Sequence, residues 1–141
     1  MRIEPWMKHP VVSVKPHDSA AHARTVMARH RINQLPVVTD GRLVGIVTDR
    51  DLRDAFPSVF ELAAGGGPSA DPETIPVEDL MATTVVTLPP DAQVADAARI
   101  MRRERIGAMP IVAGGRLVGM LTRSDVLDAF VELSRPGTPT G

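Results

Sequence analysis

Apolar residues occur along this chain in short blocks whose spacing changes from one block to the next. Val11–Val14 is a run rich in β-branched residues and closed by Pro16, which predicts a strand. In the second half, Val94, Ala97, Ala98 and Met101 fall on one helical face, which predicts an amphipathic helix. The chain therefore alternates between strand-like and helix-like patterning.

The whole pattern occurs twice. Residues 3–56 align with residues 77–130 at a constant offset of 74 without a gap, and 23 of the 54 aligned pairs are identical. A unit of this size lies near the lower limit for burying its own core, so we expect the copies to pack together across a pseudo-twofold axis. A cleft between two such halves is a natural place for a ligand.

Each copy predicts the same elements in the same order. After the first strand comes a helix, with N-caps expected at Asp18-Ser19 and, in the second copy, at Asp91. Leu35–Val38 contains a proline and is predicted to be a strand, and Asp40-Gly41 is a typical hairpin turn. The next apolar run leads into a last helix, which gives β-α-β-β-α twice and an α+β fold. We expect repeat 1 at residues 1–56, a linker at 57–76, repeat 2 at 77–133 and a disordered tail at 134–141.

Composition narrows the class of protein. The chain is 43% apolar and 23% charged, has no apolar run of membrane-spanning length and does not begin with a signal-peptide pattern, so we expect a cytoplasmic protein without a membrane partner. It has no cysteine, which excludes disulfides and thiolate metal sites. A net charge of −1 and an aromatic content of 3% argue against a nucleic-acid partner.

The pattern Thr-x-x-Asp opens the last helix of both copies, as Thr48 with Asp51 and as Thr122 with Asp125. One interpretation is a capping box, which stabilises a helix start. The other is a nucleoside phosphate site: a preceding glycine allows close backbone approach, the helix start and an arginine favour phosphate, and the carboxylate suits ribose hydroxyls. The same side chains can serve both purposes.

These motifs, in this order and twice over, resemble a tandem pair of cystathionine β-synthase (CBS) domains, also called a Bateman module. The resemblance is carried by the following residues and their second-copy counterparts: Met7, Val11–Pro16, Met27, Ile32, Leu35–Val38 and Gly41–Asp51. It implies two β-α-β-β-α CBS repeats packed through their sheets with pseudo-twofold symmetry. It also implies two clefts that bind adenosine-containing ligands, and a disc-like homodimer.

The resemblance assigns roles to particular side chains. Asp51 and Asp125 would hold ribose hydroxyls, and Thr48 and Thr122 would contact ribose or phosphate. Adenine would lie against the first strand and the proline-containing strand of each copy. With the arginines beside the motif added, the predicted ligand-binding residues are Thr48, Arg50, Asp51, Val11, Pro36, Thr122, Arg123, Asp125, Val85 and Pro110.

Differences between the copies qualify this symmetry. Asp49 adds negative charge beside Thr48 where Arg123 adds positive charge beside Thr122, so the second motif is expected to favour phosphate, although Arg50 and Arg53 could compensate in the first. The arginines that end the first helices, Arg31 and Arg105, complement the helix dipole or form a phosphate rim. The four histidines align with other polar residues, so we interpret them as solvent-facing and expect no metal site.

Three functions compete at this point. The first is a regulatory sensor that binds AMP, ADP, ATP or S-adenosylmethionine as a regulatory ligand and acts on a separate, unidentified protein. The second is a ligand-free dimeric interaction scaffold, with apolar positions such as Val126, Leu127 and Phe130 at its surface. An enzyme is disfavoured, because no nucleophile with an adjacent base stands out and no required cofactor is indicated.

Overall fold

A computed structural model describes residues 1–56 and 72–137. The chain forms two compact units, and neither unit coincides with one sequence repeat. The first-repeat unit comprises Val12–Val85, and the second-repeat unit comprises Met1–Val11 with Val86–Gly141. Most of the predicted linker and the last four residues of the predicted tail lie outside the described ranges.

The first-repeat unit contains two helices and one hairpin. Its elements are α1 (Ala20–His30), β1 (Gln34–Thr39), β2 (Arg42–Thr48) and α2 (Asp49–Ala55), followed by a 3₁₀ turn at Val77–Asp79. The second-repeat unit contains the same series: α3 (Val94–Glu104), β3 (Ala108–Ala113), β4 (Arg116–Thr122) and α4 (Arg123–Leu133). The α+β fold predicted from the sequence is confirmed.

Both hairpins are antiparallel and turn where the sequence predicts. Asp40 and Gly41 have φ angles of 51° and 80°, and Gly114 and Gly115 have 59° and 82°. Positive φ at both central residues is typical of the type I′ turn, whose twist matches that of the flanking strands. The two prolines lie within β1 and β3 as expected, since Pro36 pairs with Ile46 and Pro110 with Met120.

The predicted first strand of each copy is wrong. Val14 alone forms a parallel bridge, to Val37, and in the second copy Leu88 alone forms one, to Ile111. The preceding residues of both runs pair with no other described strand, and within each run the chain passes from one unit to the other, after Val11 and after Val85. A run of β-branched residues favours extended backbone, but a strand also needs a partner along its length.

The helix starts differ between the copies. Ser19 caps α1, and its Oγ accepts a hydrogen bond from the amide of His22, as predicted. In the second copy the N-cap is Gln93, without a side-chain capping bond, so the expected cap at Asp91 is wrong. Gln93 occupies the position that corresponds to Ser19, and its longer side chain instead accepts from the N-terminal amine at 2.6 Å.

Each unit closes its core with the opening segment of the other repeat. Ile3, fully buried, packs with Val94, Ala97 and Met101 in the second-repeat unit, and its amide donates to the carbonyl of Ala92 at 2.9 Å. Val77 takes the corresponding place in the first-repeat unit, where its amide donates to the carbonyl of Asp18 at 2.8 Å. None of the helices in the described part of the chain has the length and apolar character that crossing a membrane requires.

Candidate functional site

The helix start in the first-repeat unit is a reciprocal capping box. Thr48 ends β2, and its Oγ1 accepts from the amide of Asp51 at 3.2 Å. The Oδ2 atom of Asp51 accepts from the amide of Thr48 at 2.9 Å. The capping interpretation is thereby confirmed here, and the Asp51 carboxylate is held in a fixed, half-buried position directly after the strand.

The helix start in the second-repeat unit repeats this geometry and buries it further. Thr122 Oγ1 accepts from the amide of Asp125 at 3.2 Å, while Asp125 Oδ2 accepts from the amide and hydroxyl of Thr122 at 2.8 and 2.9 Å. Asp125 is only 4% exposed, the one buried charged residue in the described ranges. Its burial requires compensation by hydrogen bonds or an opposite charge.

That charge comes from Lys8, a residue that sequence reasoning overlooked. Its ammonium donates to Asp125 Oδ1 and lies 3.4 Å from Thr122 Oγ1. The residue that corresponds to Lys8 in the second copy is Ala82, which belongs to the first-repeat unit, so the alignment of the repeats already contained the signal. The ion pair is hard to predict from the sequence, because Lys8 and Asp125 lie 117 positions apart in the chain.

The glycine before each motif has a role that the sequence did not reveal. A Cβ built on Gly45 would lie 2.8 Å from the Ala82 carbonyl oxygen and 2.6 Å from Met81 Sδ. At Gly119 the side chain of Met7 and the carbonyl of Lys8 take the same space. The close approach that these glycines permit is therefore made by the protein's own chain.

The arginines of the two motifs lie in different surroundings. Arg50 is exposed, and the neighbouring Asp49 pairs with Arg53 at 3.2 Å, which offsets the extra negative charge of the first copy. In the second-repeat unit a cavity of about 370 Å³ lies between α3 and α4. Arg123 and two other arginines line it together with apolar side chains: Ala98, Met101, Arg102, Arg105 and Val126.

The side chains predicted to contact adenine are two prolines, which are buried, and two valines, which lie outside the unit of their own motif. Pro36 and Pro110 are less than 2% exposed within their strands. Val11 and Val85 are half-buried, and each belongs to the other unit from the motif of its own copy. A single unit therefore does not bring Val11 to Asp51 or Val85 to Asp125, and the adenine contacts stay predictions.

The remaining polar candidates have local roles. Arg31 and Arg105 end α1 and α3 with φ angles of 55° and 56°, and their amides donate to the carbonyls of Met27 and Met101. All four histidines are exposed, as expected. Among residues 1–56 and 72–137, no group of three histidine, aspartate or glutamate side chains is arranged to hold a metal ion.

The chain is similar in sequence to a known domain family and to several curated proteins. The CBS domain family matches residues 3–58 and 77–132. A CBS domain-containing protein of Dictyostelium discoideum is 39% identical over 110 residues, which are 77% of this chain and 76% of that protein. Several other curated relatives are much longer, and the chain spans only 23% of the inosine-5′-monophosphate dehydrogenase of Korarchaeum cryptofilum.

Solved structures of similar fold include two with nucleoside ligands. The structure of CBSX2 from Arabidopsis thaliana in complex with AMP covers 95% of this chain and 98% of its own, with a TM-score of 0.78 and 28% identity. The CBS domain pair of protein MJ0100 in complex with 5′-methylthioadenosine and S-adenosyl-L-methionine covers 93% and 96%, with a TM-score of 0.73 and 26% identity. The two matched segments, the paired capping-box motifs and these neighbours agree: the chain belongs to the CBS domain family, with two CBS domains in tandem.

Proposed function

We propose that this protein is a cytoplasmic regulatory module that binds adenosine-containing ligands and acts on a separate partner protein. The observation that carries the proposal is the pair of carboxylates, Asp51 and Asp125, each fixed by a capping box at the end of a strand. Two relatives of similar fold are solved with AMP and with S-adenosyl-L-methionine, which supports AMP, ADP, ATP and S-adenosylmethionine as the ligands to test.

The chemistry of each proposed site follows from its donors and acceptors. Both Asp51 and Asp125 already accept from a backbone amide through Oδ2, so their second oxygens are the proposed acceptors for ribose hydroxyls. Arg50 and Arg123 would hold phosphate in the first and second sites, and Arg105, which lines the same cavity as Arg123, supports an anionic ligand in the second. The ligand is bound and released unchanged in this proposal.

A thermal-shift panel tests the proposal. A ligand at about 100 times its dissociation constant should stabilise the protein by about 2.7 kcal/mol, which corresponds to several degrees in Tm. We expect a smaller shift in Asp51→Ala and in Asp125→Ala, and none in the double variant. Absence of a shift with every adenosine ligand, or a full shift in the double variant, would refute the proposal.

Loss of a helix cap needs its own control, since both substitutions also remove a capping bond. Ser19→Ala removes the cap of α1, a bond outside the proposed sites, at a cost of about 1 kcal/mol. This variant should have a lower Tm in the absence of ligand and the full ligand-induced shift. A reduced shift in Ser19→Ala would mean that the aspartate variants report stability rather than binding.

A ligand-free dimeric scaffold is the second candidate, favoured by the surface of α4. Leu127, Phe130 and Val131 are 58%, 63% and 62% exposed, an unusual set of large apolar side chains on one short helix. We propose that this face joins two copies in a homodimer. Dimerisation is compatible with ligand binding, so the thermal-shift panel separates the sensor from the scaffold.

A further inference from the structure

The second capping-box site contains a cation, Lys8, at a position where the first site has Ala82. Lys8 and Ala82 occupy equivalent backbone positions beside their strands. Lys8 exchanges two backbone hydrogen bonds with Met120, at 2.8 and 3.0 Å, and Ala82 exchanges two with Ile46, at 2.8 and 2.9 Å. The backbone hydrogen bonding at these two positions is therefore the same, and only the side chains of Lys8 and Ala82 differ there.

Lys8 donates a hydrogen bond to the oxygen of Asp125 that is the proposed acceptor for a ribose hydroxyl. Oδ2 of Asp125 accepts from Thr122, and Oδ1 accepts from the Lys8 ammonium. In the first site Oδ2 of Asp51 accepts from Thr48, and Oδ1 has no hydrogen-bond partner among the residues that the structure describes. A ligand hydroxyl can approach Asp51 directly, whereas at Asp125 it must displace the lysine.

Displacement of Lys8 has a cost that depends on the ligand. The buried Asp125 loses a charged donor, and a neutral hydroxyl replaces it only in part. The lysine side chain is 61% exposed on a flexible stem, so its ammonium can move within the site. A phosphate on the ligand gives the displaced ammonium a new partner of opposite charge, while a neutral nucleoside gives it none.

We propose that Lys8 gives the second site a stronger preference for phosphorylated over neutral adenosine ligands than the first site, which has Ala82 in its place. The inference rests on the proposed function and names what distinguishes its two sites. Lys8 acts as an internal occupant of the Asp125 carboxylate that only an anionic ligand displaces at little cost.

Calorimetric titration of adenosine and AMP into single-site variants tests this proposal. Asp51→Ala leaves the second site, and there AMP should bind more tightly than adenosine by about tenfold or more, the order expected of one charge-assisted hydrogen bond. Adding Lys8→Met should reduce this preference, by tightening adenosine and weakening AMP, to what Arg123 and its neighbouring arginines contribute. Adding Lys8→Arg should keep the preference, because the charge remains.

The repeat supplies a reciprocal experiment at an exposed position. Asp125→Ala leaves the first site, whose preference for AMP rests on Arg50 alone, and adding Ala82→Lys should increase that preference. This arm tests the proposal even if Lys8→Met prevents folding. An unchanged ratio of the two dissociation constants in both arms would overturn the role of Lys8 and leave the proposed function standing. Failure of the unsubstituted protein to bind any adenosine ligand would overturn the proposed function itself.

Discussion

Gly45 and Gly119 each follow the same four residues, Gly-Arg-Leu-Val, but the carbonyl oxygen beside them lies at different distances. A side chain at Gly45 would meet the carbonyl oxygen of Ala82 at 2.8 Å, and backbone cannot move aside easily. At Gly119 the nearest atoms belong to the flexible side chain of Met7, and the carbonyl of Lys8 is farther away, at 3.2 Å. The first glycine is therefore constrained by backbone and the second mainly by a side chain.

We expect Gly45→Ala and Gly119→Ala to lower the free energy of unfolding by about 1–3 kcal/mol each, the range typical of overpacking. Urea denaturation of double variants should separate them. Met7→Ala should relieve much of the cost of Gly119→Ala, while Met81→Ala should relieve less of the cost of Gly45→Ala. Equal coupling energies in the two double-mutant cycles would contradict the distinction.

The same residues show what the sequence could and could not predict at this scale. The glycine before each helix start was interpreted as allowing close approach in a phosphate site, and the protein's own chain makes that approach instead. The identity of the approaching group was open, because Met7 and Met81 reach these glycines from segments distant in the chain. The Thr-x-x-Asp capping boxes, by contrast, involve residues three apart and were predictable in full.

Among the elements, those formed by local contacts agree with the sequence and those formed by distant contacts do not. Each hairpin is determined by its own turn residues, and each helix by its own spacing of apolar residues. The two first strands were predicted from β-branched composition, yet only Val14 and Leu88 find a partner. Pairing depends on a second segment that composition does not specify.

Helix α4 carries the element-scale prediction. If its exposed apolar face joins two copies, Phe130→Glu should place charge in the interface and weaken self-association by about tenfold or more, as for a central aromatic anchor. Sedimentation velocity over a concentration series measures the effect. Ala113→Glu, at the exposed end of β3, adds the same charge elsewhere and should leave the dimer intact. A monomeric unsubstituted protein, or an unaffected Phe130→Glu dimer, would contradict the proposed interface.

At the scale of the whole molecule, each repeat contributes its opening segment to the compact unit that is built mainly from the other repeat. Ile3 belongs to the core built from the second repeat, and Val77 to the core built from the first. The sequence repeat shows which residues correspond, but it does not show that each copy gives its first residues to the other unit. The ends of the repeats therefore differ from the ends of the compact units.

Alanine substitution of single buried residues should reveal this exchange of segments. Ile3→Ala removes a fully buried side chain and should cost about 2–5 kcal/mol. Hydrogen exchange read by mass spectrometry should then show lost protection in residues 94–133 rather than in residues 20–55. Val77→Ala should give the opposite pattern. Loss of protection confined to residues 20–55 in Ile3→Ala would contradict the assignment of Ile3 to the second-repeat unit.

The exchange of segments also sets an order for synthesis on the ribosome. The first-repeat unit has all its residues once Val85 has been made, whereas the second-repeat unit needs Met1–Val11 together with residues made after Val85. Contacts between distant parts of a chain form slowly, and domains generally fold as units. Ile3 and Trp6 are thus made before the rest of the core that covers their apolar side chains. During translation, these two side chains therefore stay uncovered until residues 94–129 have been added.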